Sequence, residues 1–180
     1  MRPLRLRLVA LGLVVVLGLP VVIGTVVVIH RALTSPPPPV AERTDLPTIA
    51  PFSRVGVRVG DDPTVRCALL AGTDSAQREG MQGKSTLFGY DAMVFVFTEP
   101  TTVEFINHFV PIDLSIGWYN AHGLLVDHTT MAACPSGQDC PTYASKDPFS
   151  YAVETPVGGL GALGLAHTGA VLHVGGVCPA

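Results

Sequence analysis

Four cysteines, two carboxylates set among apolar strand residues and five of the six histidines are the residues through which this chain could do chemistry. Cys134 and Cys140 enclose five residues including Gly137, and each is followed by proline, a composition suited to a rigid exposed loop. In an oxidising compartment these two are expected to pair. Cys67 and Cys178 are the remaining candidates, and their bridge requires the first and last strands of the domain to meet. A zinc site is the competing use of four cysteines. It needs four converging ligands, and these spacings lack the paired Cys-x-x-Cys pattern of such sites. The same lack argues against a redox pair with a depressed thiol pKa. No metal and no cofactor is expected.

Asp113 and Glu154 could act as acid and base if their surroundings drove their pKa values apart. The plainer expectation is that both sit on a solvated strand face. His108, His122, His128, His167 and His173 show no metal-ligand spacing; His167 and His173 would share a strand face only if the strand ran unbroken through Gly169. His122 falls in a turn. Trp118, Tyr119 and Tyr143 could form a stacking platform for a sugar, although a Trp in a β core more often packs. No phosphate-binding loop, nucleophile elbow or zinc-protease helix is present.

These residues must be positioned by a β core whose centre runs from Met93 to Val126. Met93, Phe95 and Phe97 alternate with Val94 and Val96, so both faces of this strand are apolar and it is expected to be central and covered on two sides. Ile112, Leu114, Ile116 and Trp118 share one face of a second strand, with Asp113, Ser115 and Tyr119 on a wetter opposite face. Val55–Val59 and Val65–Ala71 flank a Gly60-Asp61-Asp62-Pro63 turn, and a short helix follows, with Asp74 as its cap and Gln77 completing a capping box. Glu99-Pro100 and Asn120-Ala121-His122-Gly123 read as turns, and Phe149–Thr155 and Ala170–Gly175 as strands. The glycine-rich stretch Val157–Gly164 reads as a loop with one helical turn at most. The expected fold is mainly β: an antiparallel sandwich, jelly roll or barrel with one short helix.

Ahead of this domain the composition changes. Leu8 to Ile29 is an uncharged apolar run of about 22 residues, long enough as a helix to span the hydrocarbon core of a bilayer. Arg2, Arg5 and Arg7 precede it, and the positive-inside rule leaves residues 1–7 in the cytoplasm and everything after His30 outside. Pro20 would kink the span. A cleaved secretory signal is the alternative; the run exceeds the usual signal core and is followed by no clear small-x-small site. Residues 30–53, with four consecutive prolines at Pro36 to Pro39, read as an extended stalk, and residues 54–180 as the domain. The net charge of −3, with both signs interspersed, provides no field that would attract nucleic acid.

With these elements in order, the segment from about Val65 to Val174 resembles the bacterial and archaeal family called domain of unknown function 192. The matching residues are Arg78-Glu79-Gly80-Met81, Met93 to Phe97, Asn107 with Pro111-Ile112-Asp113, Cys134-Pro135 through Cys140 and Tyr143, and Val153-Glu154 with Gly158. Where the family has Phe-Trp-Met-Lys this chain has Val103-Glu104-Phe105-Ile106, and where it has Gly-Asp this chain has Gly169-Ala170. The resemblance implies a compact, mostly antiparallel β fold, often behind a secretion signal or membrane anchor, with no established activity. It also marks Asn107, Asp113 and Glu154 as the polar positions to test for binding.

The expected protein is a single-pass membrane protein whose C-terminal β domain, outside the cytoplasm, binds an envelope ligand or protein partner. A hydrolase of a cell-wall polymer using Asp113 and Glu154 is the second reading, which requires the two carboxyl groups to lie about 5–9.5 Å apart. A structural scaffold in an envelope complex is the third.

Overall fold

Alternation of apolar side chains builds one seven-stranded sheet, seen in a computed structural model that describes residues 45–178. Its strands are β1 (Ser53–Val59), β2 (Arg66–Ala71), β3 (Ala92–Thr101), β5 (Leu114–Tyr119), β6 (Leu125–Met131), β8 (Phe149–Pro156) and β9 (Leu172–Val174), in the order β6-β5-β8-β3-β2-β1-β9. The strand expected to be central, β3, is the middle one. A two-stranded ribbon, β4 (Phe105–Ile106) with β7 (Thr142–Tyr143), lies apart from the sheet. Residues 8–29, expected to span the membrane, and residues 30–44 of the expected stalk lie outside the described residues. No helix among the described residues is long and apolar enough to cross a membrane.

The sheet is mixed, which corrects the antiparallel expectation. β2 and β3 run parallel, with Leu69 opposite Met93. Their connection holds helix α1 (Asp74–Glu79), and a crossover of this length returns the chain to the same end of the sheet, as a parallel pair requires. The other neighbours are antiparallel. Thr73, one residue earlier than expected, caps α1, its Oγ1 accepting from the Ala76 amide. The side chain of Gln77 donates instead to the Val96 carbonyl, at 2.8 Å, tying α1 to β3. The Glu99-Pro100 turn is absent: β3 continues to Thr101 and absorbs the irregularity as a register shift against β8.

Curling brings the far ends of the sheet toward each other. The Leu125 amide donates to the Ala170 carbonyl and the Leu172 amide to the Gly123 carbonyl, so the β5–β6 turn meets the chain entering β9. Gly123 has φ +76°, and a Cβ there would overlap the Leu172 carbonyl oxygen, so only glycine permits this closure.

Each sheet face carries its own core. Met93, Phe95, Leu114, Ile116 and Trp118 lie on one, covered by α1, the ribbon and residues 45–52. Leu46 and Phe52 are buried there, and the Tyr90 hydroxyl donates to the Pro47 carbonyl. Val57, Val94, Tyr119 and Val153 lie on the other, packed against Leu160 of a second helix, α2 (Gly159–Ala162), and against Leu165. The β5 face expected to be wet is therefore dry at Tyr119, whose hydroxyl donates to the Leu165 carbonyl at 2.8 Å. Burial raises the Tyr119 pKa.

Candidate functional site

A cavity of about 350 Å³ opens on the first face, between α1, β3 and the chain around β4. Its floor includes the rings of Phe95 and Phe97 from β3 and Glu154 from β8; Phe105 and Asn107 form part of its wall, and Val103, Glu104 and Ile106 its outer edge. Strand register explains the position of Glu154. It is paired with Met93 on one side and Ile116 on the other, both buried apolar residues, and its side chain shares their face. Only 5% of Glu154 is exposed, and no group among the described residues hydrogen-bonds to its carboxyl. Burial pushes its pKa up to about 8, because the apolar strands around it favour the neutral acid.

The structure separates the three polar residues that the sequence groups together. Asn107 is buried in the wall of the cavity that Glu154 also lines, but its Nδ2 donates to the carbonyls of Ile112, Met131 and Ala132 at 3.0–3.3 Å. That amide fastens the ribbon segment to the ends of β5 and β6. Asp113 is exposed, lies outside the cavity, and accepts from the Ala133 amide at 2.7 Å. Asp113 and Glu154 thus do not meet in one cavity.

The cysteines form two bridges, Cys67 with Cys178 and Cys134 with Cys140. The first staples the strand β2 to the chain after β9, with the Cα atoms 4.8 Å apart. The second closes the loop after β6, near the ribbon, where Tyr143 accepts from the Ala132 amide. Trp118 and Tyr119 are fully buried on opposite faces, so the sugar platform does not form; Trp118 packs against Phe105 and Phe149 with ring centroids 6.2 Å apart in each case. Among the described residues no three His, Cys, Asp or Glu side chains converge on a metal position. The His108 ring lies against that of Phe109, tilted by 51° with centroids 4.1 Å apart, while His122 and His173 line an open polar groove with Arg58.

Sequence reasoning had no means of finding the cavity itself. Phe95 and Phe97 read as side chains of one apolar strand face; in the structure Phe95 is buried, Phe97 and Phe105 are half-buried against the same core, and the Phe105 ring packs edge-on against Phe95 with centroids 5.2 Å apart at the side of the cavity. The stretch in which the chain departs from the Phe-Trp-Met-Lys pattern, Val103 to Ile106, supplies one wall.

Two solved structures share this fold. One is a Sinorhizobium meliloti 1021 protein described provisionally as a transcription regulator, 18% identical, with a TM-score of 0.59 over 71% of this chain and 98% of that one. The other is a protein of unknown function from Novosphingobium aromaticivorans DSM 12444, 19% identical, with a TM-score of 0.59 over 71% of this chain and 90% of its own. At such identities the likeness concerns the fold alone. No curated protein matches the chain. Residues 55–173 match the family DUF192, described as Uncharacterized ACR, COG1430, over the same sheet, cavity and carboxyl just described, and the chain belongs to that family.

Proposed function

We propose that this protein is a non-enzymatic binding module of the cell envelope, held outside the cytoplasm by residues 8–29, whose ligand seats in the cavity with a polar group at Glu154. The observation that carries this reading is the Glu154 carboxyl, buried in a cavity of about 350 Å³ with no hydrogen-bond partner among the described residues. An unpaired buried polar group costs folding free energy that a purely structural role would have removed, and it is repaid when a ligand supplies the missing partner. The cavity has the size and the mixed apolar lining of small-molecule sites. The two disulfides suit the oxidising side of a membrane. A glycosidase of the two-carboxylate kind loses support, since Asp113 lies outside the cavity and is bonded to backbone.

The test is a thermal-shift screen of the oxidised full-length protein against small aromatic and aliphatic compounds, run beside Val103→Trp. Val103 is 46% exposed at the cavity edge, so an indole there should obstruct entry with little effect on folding. Compounds that raise Tm in the native protein and not in the variant are expected. Equal shifts in both, or none in either, would overturn the assignment.

A further inference from the structure

The charge around the cavity has one predominant sign. α1 contributes Asp74, Arg78 and Glu79, the loop between β3 and β4 contributes Glu104, and β8 contributes Glu154; β3 presents only Phe95 and Phe97. Glu79 is already paired with Lys84 at 2.8 Å. Arg78 is the single cation of the lining among the described residues, and it is exposed, whereas Glu154 is buried. Three phenyl rings, of Phe95, Phe97 and Phe105, stand beside it, and ring faces attract cations.

We propose that the ligand of this cavity is a small primary ammonium on an apolar or aromatic body, its nitrogen against the Glu154 carboxylate and its body against Phe95, Phe97 and Phe105, a proposal that rests on the cavity being the ligand site. An anion would meet two carboxylates with no ion pair among the described residues, Asp74 and Glu104. A neutral molecule would leave the acidic lining without a counter-charge. In the free protein the Glu154 carboxyl holds its proton at neutral pH. On binding, the O–H bond breaks, the proton passes to solvent, and the carboxylate accepts hydrogen bonds from the ammonium. Proton and ammonium therefore compete for one group. With a free-state pKa of about 8, affinity should rise by about tenfold from pH 6 to pH 7 and level off above pH 8, and binding at pH 7 should release about 0.9 proton.

Calorimetry on the oxidised full-length protein in zwitterionic nanodiscs, with benzylammonium, benzyl alcohol and benzoate as probes, decides the matter. Titrations at pH 6, 7 and 8, in buffers of differing ionisation enthalpy, count the protons. Benzylammonium is expected to bind at least tenfold more tightly than benzyl alcohol at pH 8 and to release protons at pH 7. Glu154→Gln is expected to lose that preference and the proton release while still binding benzyl alcohol. Should the variant not fold, the pH profile of the native protein answers the same question. Benzyl alcohol binding that Val103→Trp blocks, with no ammonium preference, would overturn the cation assignment and leave the cavity as the ligand site. Tighter binding of benzoate would do the same. No cavity-dependent binding by any probe would overturn both.

Discussion

Glu154 and Asn107 line one cavity and do opposite things with their polarity. Asn107 is saturated by three carbonyls, so its amide holds backbone together; Glu154 is bonded to nothing among the described residues and remains available. The family resemblance marks both residues, yet side-chain type alone could not separate them, because the difference lies in which carbonyls come within reach. Glu154 also makes stability depend on pH. Its folded-state pKa, about 8, is above the ordinary glutamate value of 4.5, so between these the folded protein holds a proton that the unfolded chain has released. Stability is therefore fully present below about pH 4.5, declines as pH rises toward 8, and is flat above. Urea unfolding at pH 5 and pH 8 should show the native protein losing a few kcal/mol across this interval, while Glu154→Gln, which cannot ionise, loses much less and is the more stable of the two at pH 8. Equal pH slopes for the two proteins would show that Glu154 is not held in the neutral form.

Strands were legible because their signal is local: alternation at β3 and β5 assigns Met93, Phe95, Ile116 and Trp118 to one face, and they form one core. The β5–β6 turn was legible for the same reason, since the Asn120 side chain accepts from the amides of His122 and Leu124. Elements whose existence depends on distant partners were not. The parallel pairing of β2 with β3 is a consequence of where α1 lands, and α2 is a four-residue glycine-containing turn that forms because Leu160 and Leu165 find the second sheet face. Local propensity at Gly158 to Gly164 argues against helix, and burial overrides it. That cover should matter energetically. Leu160 is 1% exposed, and Leu160→Ala should cost about 2–5 kcal/mol by leaving a void over Tyr119 and Val153. Val157, three residues earlier and 56% exposed, is the control: Val157→Ala should change stability by less than about 0.5 kcal/mol. Similar effects of the two in chemical denaturation would contradict the role given to α2.

Taken together, the described residues form a curled sheet with a core on each face, stapled at two places of unequal leverage. Cys67–Cys178 closes a loop of 111 residues and Cys134–Cys140 one of six. By chain entropy the long loop stabilises the fold by about 4.8 kcal/mol and the short one by about 2.2 kcal/mol. Paired Cys→Ser variants should accordingly lower stability about twice as much at Cys67 and Cys178 as at Cys134 and Cys140, as read by urea midpoints in oxidising buffer; the reverse order would mean that the terminal staple constrains little. Residue order alone determined that this chain would form a β domain with β3 at its centre, since side-chain alternation and turn chemistry act over a few residues and need no knowledge of the rest. It also determined the apolar run ahead of the domain, a matter of composition. Only the tertiary structure decided that the sheet is mixed, that its ends meet at Gly123, and that Asp113 and Glu154 part company. It also decided that a cavity lined by Phe95, Phe97 and Phe105 remains, holding a carboxyl with no hydrogen-bond partner among the described residues. Each of these depends on contacts between segments tens of residues apart, whose geometry is set when the packed chain settles which surfaces exclude water and which polar groups find partners.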